Sequence, residues 1–157
     1  MFFISVLVAL TFAIYFPLVM SQRVFSVEYE PAENLFNQTL GDFFQINGFY
    51  FMLLILLASL SLLLLSIAKS KVVFALAFAG NVGIMSYFIY EFTNIAKALD
   101  DGVRQANETI NVYFHIYYTP AMVITWVVFG IFAAWSVFMI VLGLIRIQRQ
   151  GTKLIQQ

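Results

Sequence analysis

Four long apolar segments alternate with polar segments along the chain. They cover residues 2–20, 48–68, 72–90 and 121–145, and none of them contains Asp, Glu, Lys, Arg or His. A helix needs about 20 mostly apolar residues to cross the hydrocarbon core of a bilayer, and each segment is of about that length. The pattern predicts an all-α integral membrane protein, with one transmembrane domain of four helices over residues 1–157.

The first apolar segment has to be distinguished from a secretory signal. It lacks a basic leader, and the residues around Met20 make a poor cleavage site. Residues 2–20 are therefore predicted to be retained as the first membrane helix.

The first of the two longer polar segments, residues 21–47, carries a helical pattern of its own. Its apolar residues after Pro31 recur with helical spacing: Leu35, Phe36, Leu40, Phe43 and Phe44. This pattern predicts a short amphipathic helix at the membrane surface. The helix would serve either as a docking surface for another subunit or as a lid over the chain's own helices.

The second longer polar segment, residues 91–120, has a clearer period. Its apolar residues recur at three- or four-residue steps: Ile95, Leu99, Val103, Ala106 and Ile110. We expect the third helix to extend as an amphipathic stalk to about Val112, with Gly102 as a weak point. At 1.5 Å per residue the stalk would rise roughly 25 Å above the bilayer. It would pack on the first-loop helix or on a separate protein.

The apolar segments also sort the charged residues. All eight acids fall in the two longer polar segments: Glu28, Glu30, Glu33, Asp42, Glu91, Asp100, Asp101 and Glu108. The hairpin at 69–71 and the tail at 146–157 carry no acid and most of the bases: Lys69, Lys71, Arg146, Arg149 and Lys153. Under the positive-inside rule, the hairpin, the tail and both termini lie on the cytoplasmic (or matrix) side, and the longer loops lie outside.

Composition supports the membrane class and excludes several functions. The chain is 62% hydrophobic and 10% charged, whereas soluble domains average about 25% charged residues. A formal net charge of zero argues against a nucleic-acid partner. The absence of cysteine excludes disulfides, thiol catalysis and Cys-ligated metal sites.

Two Asn-x-Thr sequons, beginning at Asn37 and Asn107, fall in the loops predicted to lie outside. Their position agrees with the expected orientation. Both asparagines are candidates for glycosylation in a host that carries out this modification.

Three spans carry small residues at four-residue spacing. These are Ala75, Ala79 and Gly83 in the third span, Ala9 and Ala13 in the first, and Gly130 and Ala134 in the fourth. Small residues at this spacing let two helix backbones approach closely. We expect them to pack the four helices of the chain against one another.

Asn81 is the strongly polar side chain nearest to mid-membrane. An amide at this depth usually bonds to a neighbouring helix, for a gain of about 0.6–2 kcal/mol. The alternative is that Asn81 lines a ligand or substrate cavity. The hydroxyls of Ser59, Ser61, Ser66 and Thr125 are expected to bond to carbonyls of their own helices.

The fourth span has a broad aromatic face that includes Trp126, Phe129 and Trp135. Such a face would contact lipid, a pigment, a quinone or another subunit. Together with Phe36, Phe43 and Phe44 of the first loop, these residues are the candidates for partner contact.

Reactive side chains are few. His115 is the single histidine, so a metal or catalytic site would need Glu91, Glu108 or a partner chain to complete it. The sequence has no Gly-rich phosphate loop, nucleophile elbow or zinc-binding helix motif. As an isolated chain it is not expected to be an enzyme, and no catalytic residue, metal or cofactor is predicted, although bound lipids are.

The order of loops resembles that of tetraspan membrane proteins such as tetraspanins and claudins, whose outer loops are defined by cysteines that this chain lacks. The sequence favours a non-catalytic accessory or structural subunit of a larger membrane complex, with other integral membrane subunits and the bilayer as partners. The alternative is a homo-oligomeric channel or transporter protomer for small solutes, with Asn81 and the small residues of the third span lining a path. A third hypothesis is a subunit that binds quinone, pigment or lipid.

Overall fold

The computed structural model describes residues 1–28, 36–44, 48–110 and 115–155. These residues form five helices and two short strands. In chain order they are α1 (Phe2–Val19), β1 (Phe25–Val27), α2 (Leu40–Phe44), α3 (Gly48–Ile67), α4 (Lys71–Ile110), β2 (Ile116–Tyr118) and α5 (Pro120–Ile155).

Four of the helices are long and apolar enough to cross a membrane: α1, α3, the stretch Lys71–Gln105 of α4 and the stretch Pro120–Arg149 of α5. The expectation of a helical, multi-pass membrane protein is confirmed at this level. Pro120 begins the last helix at little cost, because its missing N–H would have no helical acceptor in the first turn.

Both α4 and α5 are longer than a bilayer requires. The 40 residues of α4 run without a break past Gly102, so the helix is about 60 Å long against a hydrocarbon thickness of about 30 Å. The 36 residues of α5 continue beyond the predicted end at residue 145. The helix continues because the polar residues after 145 include good helix formers such as Arg146 and Arg149.

Two short strands join the longer loops, which is a feature the all-α prediction missed. β1 and β2 pair antiparallel, with Phe25 opposite Tyr118 and Val27 opposite Ile116. Aromatic and β-branched residues favour such pairing. The strands hold the start of the first loop against the end of the second.

The helix of the first loop is shorter than the sequence pattern suggested. α2 spans only Leu40–Phe44, and Leu35 lies outside the described residues. Thr39 precedes α2, and its N–H and hydroxyl donate to the Asp42 carboxylate at 2.7 and 2.8 Å. These two bonds form an N-terminal cap and lower the pKa of Asp42.

The first loop packs on the extension of α4. Phe36 is 2% exposed, and its ring lies so close to Gly102 that a Cβ at that position would overlap it. Gly102 is therefore a site of close approach rather than a weak point of the helix. Phe36 and α2 thus cover part of the chain's own α4, and we call this described part of the first loop the lid.

Phe88 of α4 is the centre of the apolar core. It is fully buried and contacts rings from four other helices: Phe12 of α1, Phe44 of α2, Phe51 of α3 and Phe129 of α5, at centroid distances of 5.5, 5.3, 6.2 and 5.6 Å. Contacts of this one ring thus link all five helices.

Polar side chains bridge the helices around this core. The Trp135 indole N–H donates to Ser5 Oγ at 2.9 Å, and the Tyr15 hydroxyl donates to the Ala121 carbonyl at 3.0 Å. The Ser59 hydroxyl donates to the Ala9 carbonyl of α1 at 3.2 Å, which corrects the expectation that it bonds within its own helix. Ser61, Ser66 and Thr125 do bond to carbonyls of their own helices.

Close packing of α4 on α5 depends on a glycine that the four-residue pattern did not include. Gly143 is buried, and a Cβ there would overlap the Phe74 ring of α4. On the same helix, Gly130 is exposed, and a Cβ there would meet nothing within 4 Å.

The contrast between these two glycines yields a stability prediction. Gly143→Leu should lower the free energy of unfolding by about 1–3 kcal/mol, because the new side chain competes with Phe74 for space. Gly130→Leu is the matched control: it makes the same gain in helix propensity without any overlap, and should leave stability unchanged or raise it by up to about 1 kcal/mol. Reversible unfolding of the purified chain in mild detergent measures both, and equal effects would contradict this packing.

Candidate functional site

A polar cluster of Ser61, Asn81 and Ser136 lies in the middle of the bundle. Asn81 Nδ2 on α4 donates to Ser61 Oγ on α3 at 3.2 Å and to Ser136 Oγ on α5 at 3.3 Å. Asn81 and Ser136 are fully buried. The amide therefore links three helices, as expected of an intramembrane asparagine that stabilises packing.

The cluster leaves one atom without a partner. Asn81 Oδ1 is buried and accepts no hydrogen bond. Ser61 cannot supply a proton to it, because its hydroxyl donates to the Ala58 carbonyl at 2.7 Å. An unpaired amide oxygen lowers the net contribution of the cluster to stability, since its desolvation is not offset.

The small residues of α4 do not face this cluster. Ala75, Ala79 and Gly83 are all exposed, on the side of α4 away from Phe74, Asn81 and Phe88. We call these three residues the small-residue face. We expected these residues to pack the chain's own helices, but they face outward. The buried side of α4 carries Phe and Asn side chains instead.

The other small-residue pairs are divided between inside and outside. Ala9 is 3% exposed and packs in the core, with Ala13 half-buried beside it. Gly130 and Ala134 of α5 are exposed. Of the small-residue sets predicted on the three spans, all within described residues, the pair on α1 is the one that packs inside the chain.

The aromatic candidates for partner contact are likewise divided. Phe36 and Phe44 are 2% and 1% exposed and belong to the chain's own core. Phe43, Phe129 and Trp135 are half-buried. Trp126 is 44% exposed and opens, with Phe129, onto an apolar cavity of about 330 Å³ between α4 and α5.

A second cavity, of about 350 Å³, is polar and lies where α2 meets α4. Its lining includes Asp42, Tyr90, Glu91 and Asn94. Glu91 is only 7% exposed, and Asn94 Nδ2 donates to its Oε2 at 3.3 Å. The sequence did not reveal this burial, because Glu91 stands at the end of the predicted span, where a headgroup contact is the ordinary expectation.

The remaining candidates lie at the same end of the molecule. His115 is exposed, and its ring stacks on Tyr117 at 6.0 Å. Among the described residues no three His, Asp or Glu side chains come together to hold a metal ion. Asn37 is exposed, whereas the side chain of Asn107 lies outside what the structure describes.

The hydrogen bonds of the polar cluster give a coupling prediction. A double-mutant cycle of Asn81→Ala with Ser136→Ala should show a coupling of about 0.6–2 kcal/mol in unfolding free energy. Asn81→Ala with Ser59→Ala is the control cycle and should be additive, since Ser59 bonds to α1 instead. Unfolding in detergent measures both cycles, and additivity in the first would show that Asn81 and Ser136 do not interact.

Comparison of the chain with protein-family models, with curated proteins and with solved structures finds no match.

Proposed function

We propose that this chain is a non-catalytic accessory or structural subunit of a larger membrane protein complex. A transmembrane helix of a partner would pack on the small-residue face of α4. The partner would carry the chemistry, and this chain would contribute packing and stabilisation. The observation that carries the proposal is the outward orientation of Ala75, Ala79 and Gly83.

Helices in a bilayer associate through close packing, because lipid tails are as apolar as the side chains they would replace. Small residues one turn apart allow a neighbouring backbone to approach, which increases the packing gain. A Cβ added at Gly83 would meet nothing within 4 Å. The face is therefore open, and no other helix in the described part of this chain covers it.

The same helix extends the contact beyond the bilayer. Tyr90 is 62% exposed, and Lys97 and Asp101 farther along α4 are also exposed. At 3.6 residues per turn these positions lie near the side of α4 that carries Ala79. A partner helix lying along α4 would thus contact apolar residues within the bilayer and charged residues beyond it.

The channel alternative receives less support from the geometry. It needs Asn81 and the small-residue face to line one path. Asn81 is fully buried, whereas Ala79 and Gly83 on either side of it are exposed. The two features lie on opposite sides of α4, so a ring of copies joined through this face would keep Asn81 away from its axis.

The proposed orientation follows from charge. The end that carries Lys69, Lys71, Arg146 and Arg149 would face the cytoplasm (or matrix), together with both termini. The end with β1, β2 and α2 would face outward, so the lid and the extension of α4 would lie on the outer surface.

Cysteine cross-linking in native membranes tests the proposal, since the chain has no cysteine of its own. Ala79→Cys should form an adduct with a different membrane polypeptide, and Ala79→Leu should reduce co-purification of that polypeptide by about tenfold. Leu60→Cys is the matched control, because Leu60 is 51% exposed on α3 and lies close in sequence to Ser61, which bonds to Asn81. It should give no such adduct.

Two results would contradict the proposal. An adduct of twice the chain mass, with no unlike chain, would favour the homo-oligomeric alternative. Equal adducts from Ala79→Cys and Leu60→Cys would show that the small-residue face is not a specific contact.

A further inference from the structure

The basic end of the bundle contains a cavity of about 500 Å³. It lies where α3 ends and the last part of α5 passes beside it. The residues that line it are Ser66, Ile67, Ala68, Lys69, Arg146, Ile147 and Arg149.

One of its three bases is held in place by the fold. Arg146 Nη1 donates to the Ser66 carbonyl at 3.0 Å, which satisfies a carbonyl in the last turn of α3. A guanidinium has five N–H donors, so most of them remain for another acceptor. Arg146 is half-buried, whereas Lys69 and Arg149 are exposed at the rim.

The cavity concentrates positive charge, and no Asp or Glu is among the described residues that line it. All acids of the sequence fall within residues 28–42 and 91–108. Of these, Asp42 and Glu91 contribute to the cavity where α2 meets α4, at the opposite end of α3. An anion is the natural occupant of a concave site lined by Lys69, Arg146 and Arg149.

The cavity lies at the end of the apolar helices, the level at which a lipid headgroup is expected beside a transmembrane helix. The apolar helix α3 ends at Ile67, and Ile67 is itself 52% exposed. Leu144 and Ile145 of α5, next to Arg146, are 48% and 40% exposed. The bases therefore lie at the boundary between the apolar surface and the aqueous side, with exposed apolar side chains directly adjacent.

We propose that this cavity binds the phosphate headgroup of an anionic phospholipid. Arg146 and Arg149 would bond to the phosphate oxygens, for which the planar guanidinium is well suited. Lys69 would add charge, and the acyl chains would lie along Ile67, Leu144 and Ile145. Basic pockets between transmembrane helices are a common means of binding such headgroups. The site is independent of any partner subunit.

Native mass spectrometry of the full chain, released from micelles doped with either phosphatidylglycerol or phosphatidylcholine, tests the proposal. The unmodified chain should retain phosphatidylglycerol in preference to phosphatidylcholine. The double variant Lys69→Gln, Arg149→Gln should bind phosphatidylglycerol about tenfold more weakly. Both side chains are exposed, and Arg146 keeps its bond to Ser66, so the fold should be unaffected.

The matched control removes the same charge from the other end of the bundle. Lys97→Gln with Arg104→Gln replaces two exposed bases on the extension of α4 and should leave phosphatidylglycerol binding unchanged. Equal weakening by the two double variants would overturn the proposal, because it would show a general charge effect. Equal retention of the two lipids by the unmodified chain would also overturn it. Displacement of phosphatidylglycerol by millimolar inorganic phosphate would indicate a free-phosphate site instead of a lipid site.

Discussion

Hydrocarbon offers no hydrogen-bond partner, so any polar group that enters a bilayer has to be paired within the protein. This constraint accounts for the separation of charge along the chain, with acids confined to two segments and the apolar spans free of ionisable groups. It also accounts for the bonds between helices, such as Trp135 to Ser5 and Ser59 to the Ala9 carbonyl. The exception among the described side chains is Asn81 Oδ1, which is buried without a partner.

The helix α4 has two different sides, one buried in the bundle and one facing outward. Its buried side carries Phe88, which contacts rings from the other four helices, and Asn81, which bonds to α3 and α5. Its outward side carries Ala79 and Gly83. The first side holds the chain together, and the second is free to contact another molecule. The two ends of the bundle also differ. The end with the acidic loops carries the lid, and the opposite end carries the basic cavity.

The four spans could be predicted because their signal is local: about 20 consecutive apolar residues suffice. Which side of its helix each residue faces could not be predicted from the sequence. A small residue such as Gly83 is compatible with a helix contact and with lipid, whereas burial of Phe36 depends on its approach to Gly102, 66 positions later in the chain. The pairing of β1 with β2 was missed because each strand has three residues and the partners lie far apart in sequence. The burial of Glu91, which lines the cavity beside α2, leaves no trace in the periodicity of the sequence.

Labelling from the two sides of sealed membranes tests the four-crossing architecture most directly. Lys71→Cys and Asp100→Cys each place one thiol at an exposed position of α4 in a chain without other cysteines. The account predicts that a membrane-impermeant maleimide reaches the Asp100→Cys thiol from outside and the Lys71→Cys thiol only after the membrane is opened. If both thiols react from the same side, α4 does not cross the bilayer, and neither the fold in the membrane nor the proposed function holds.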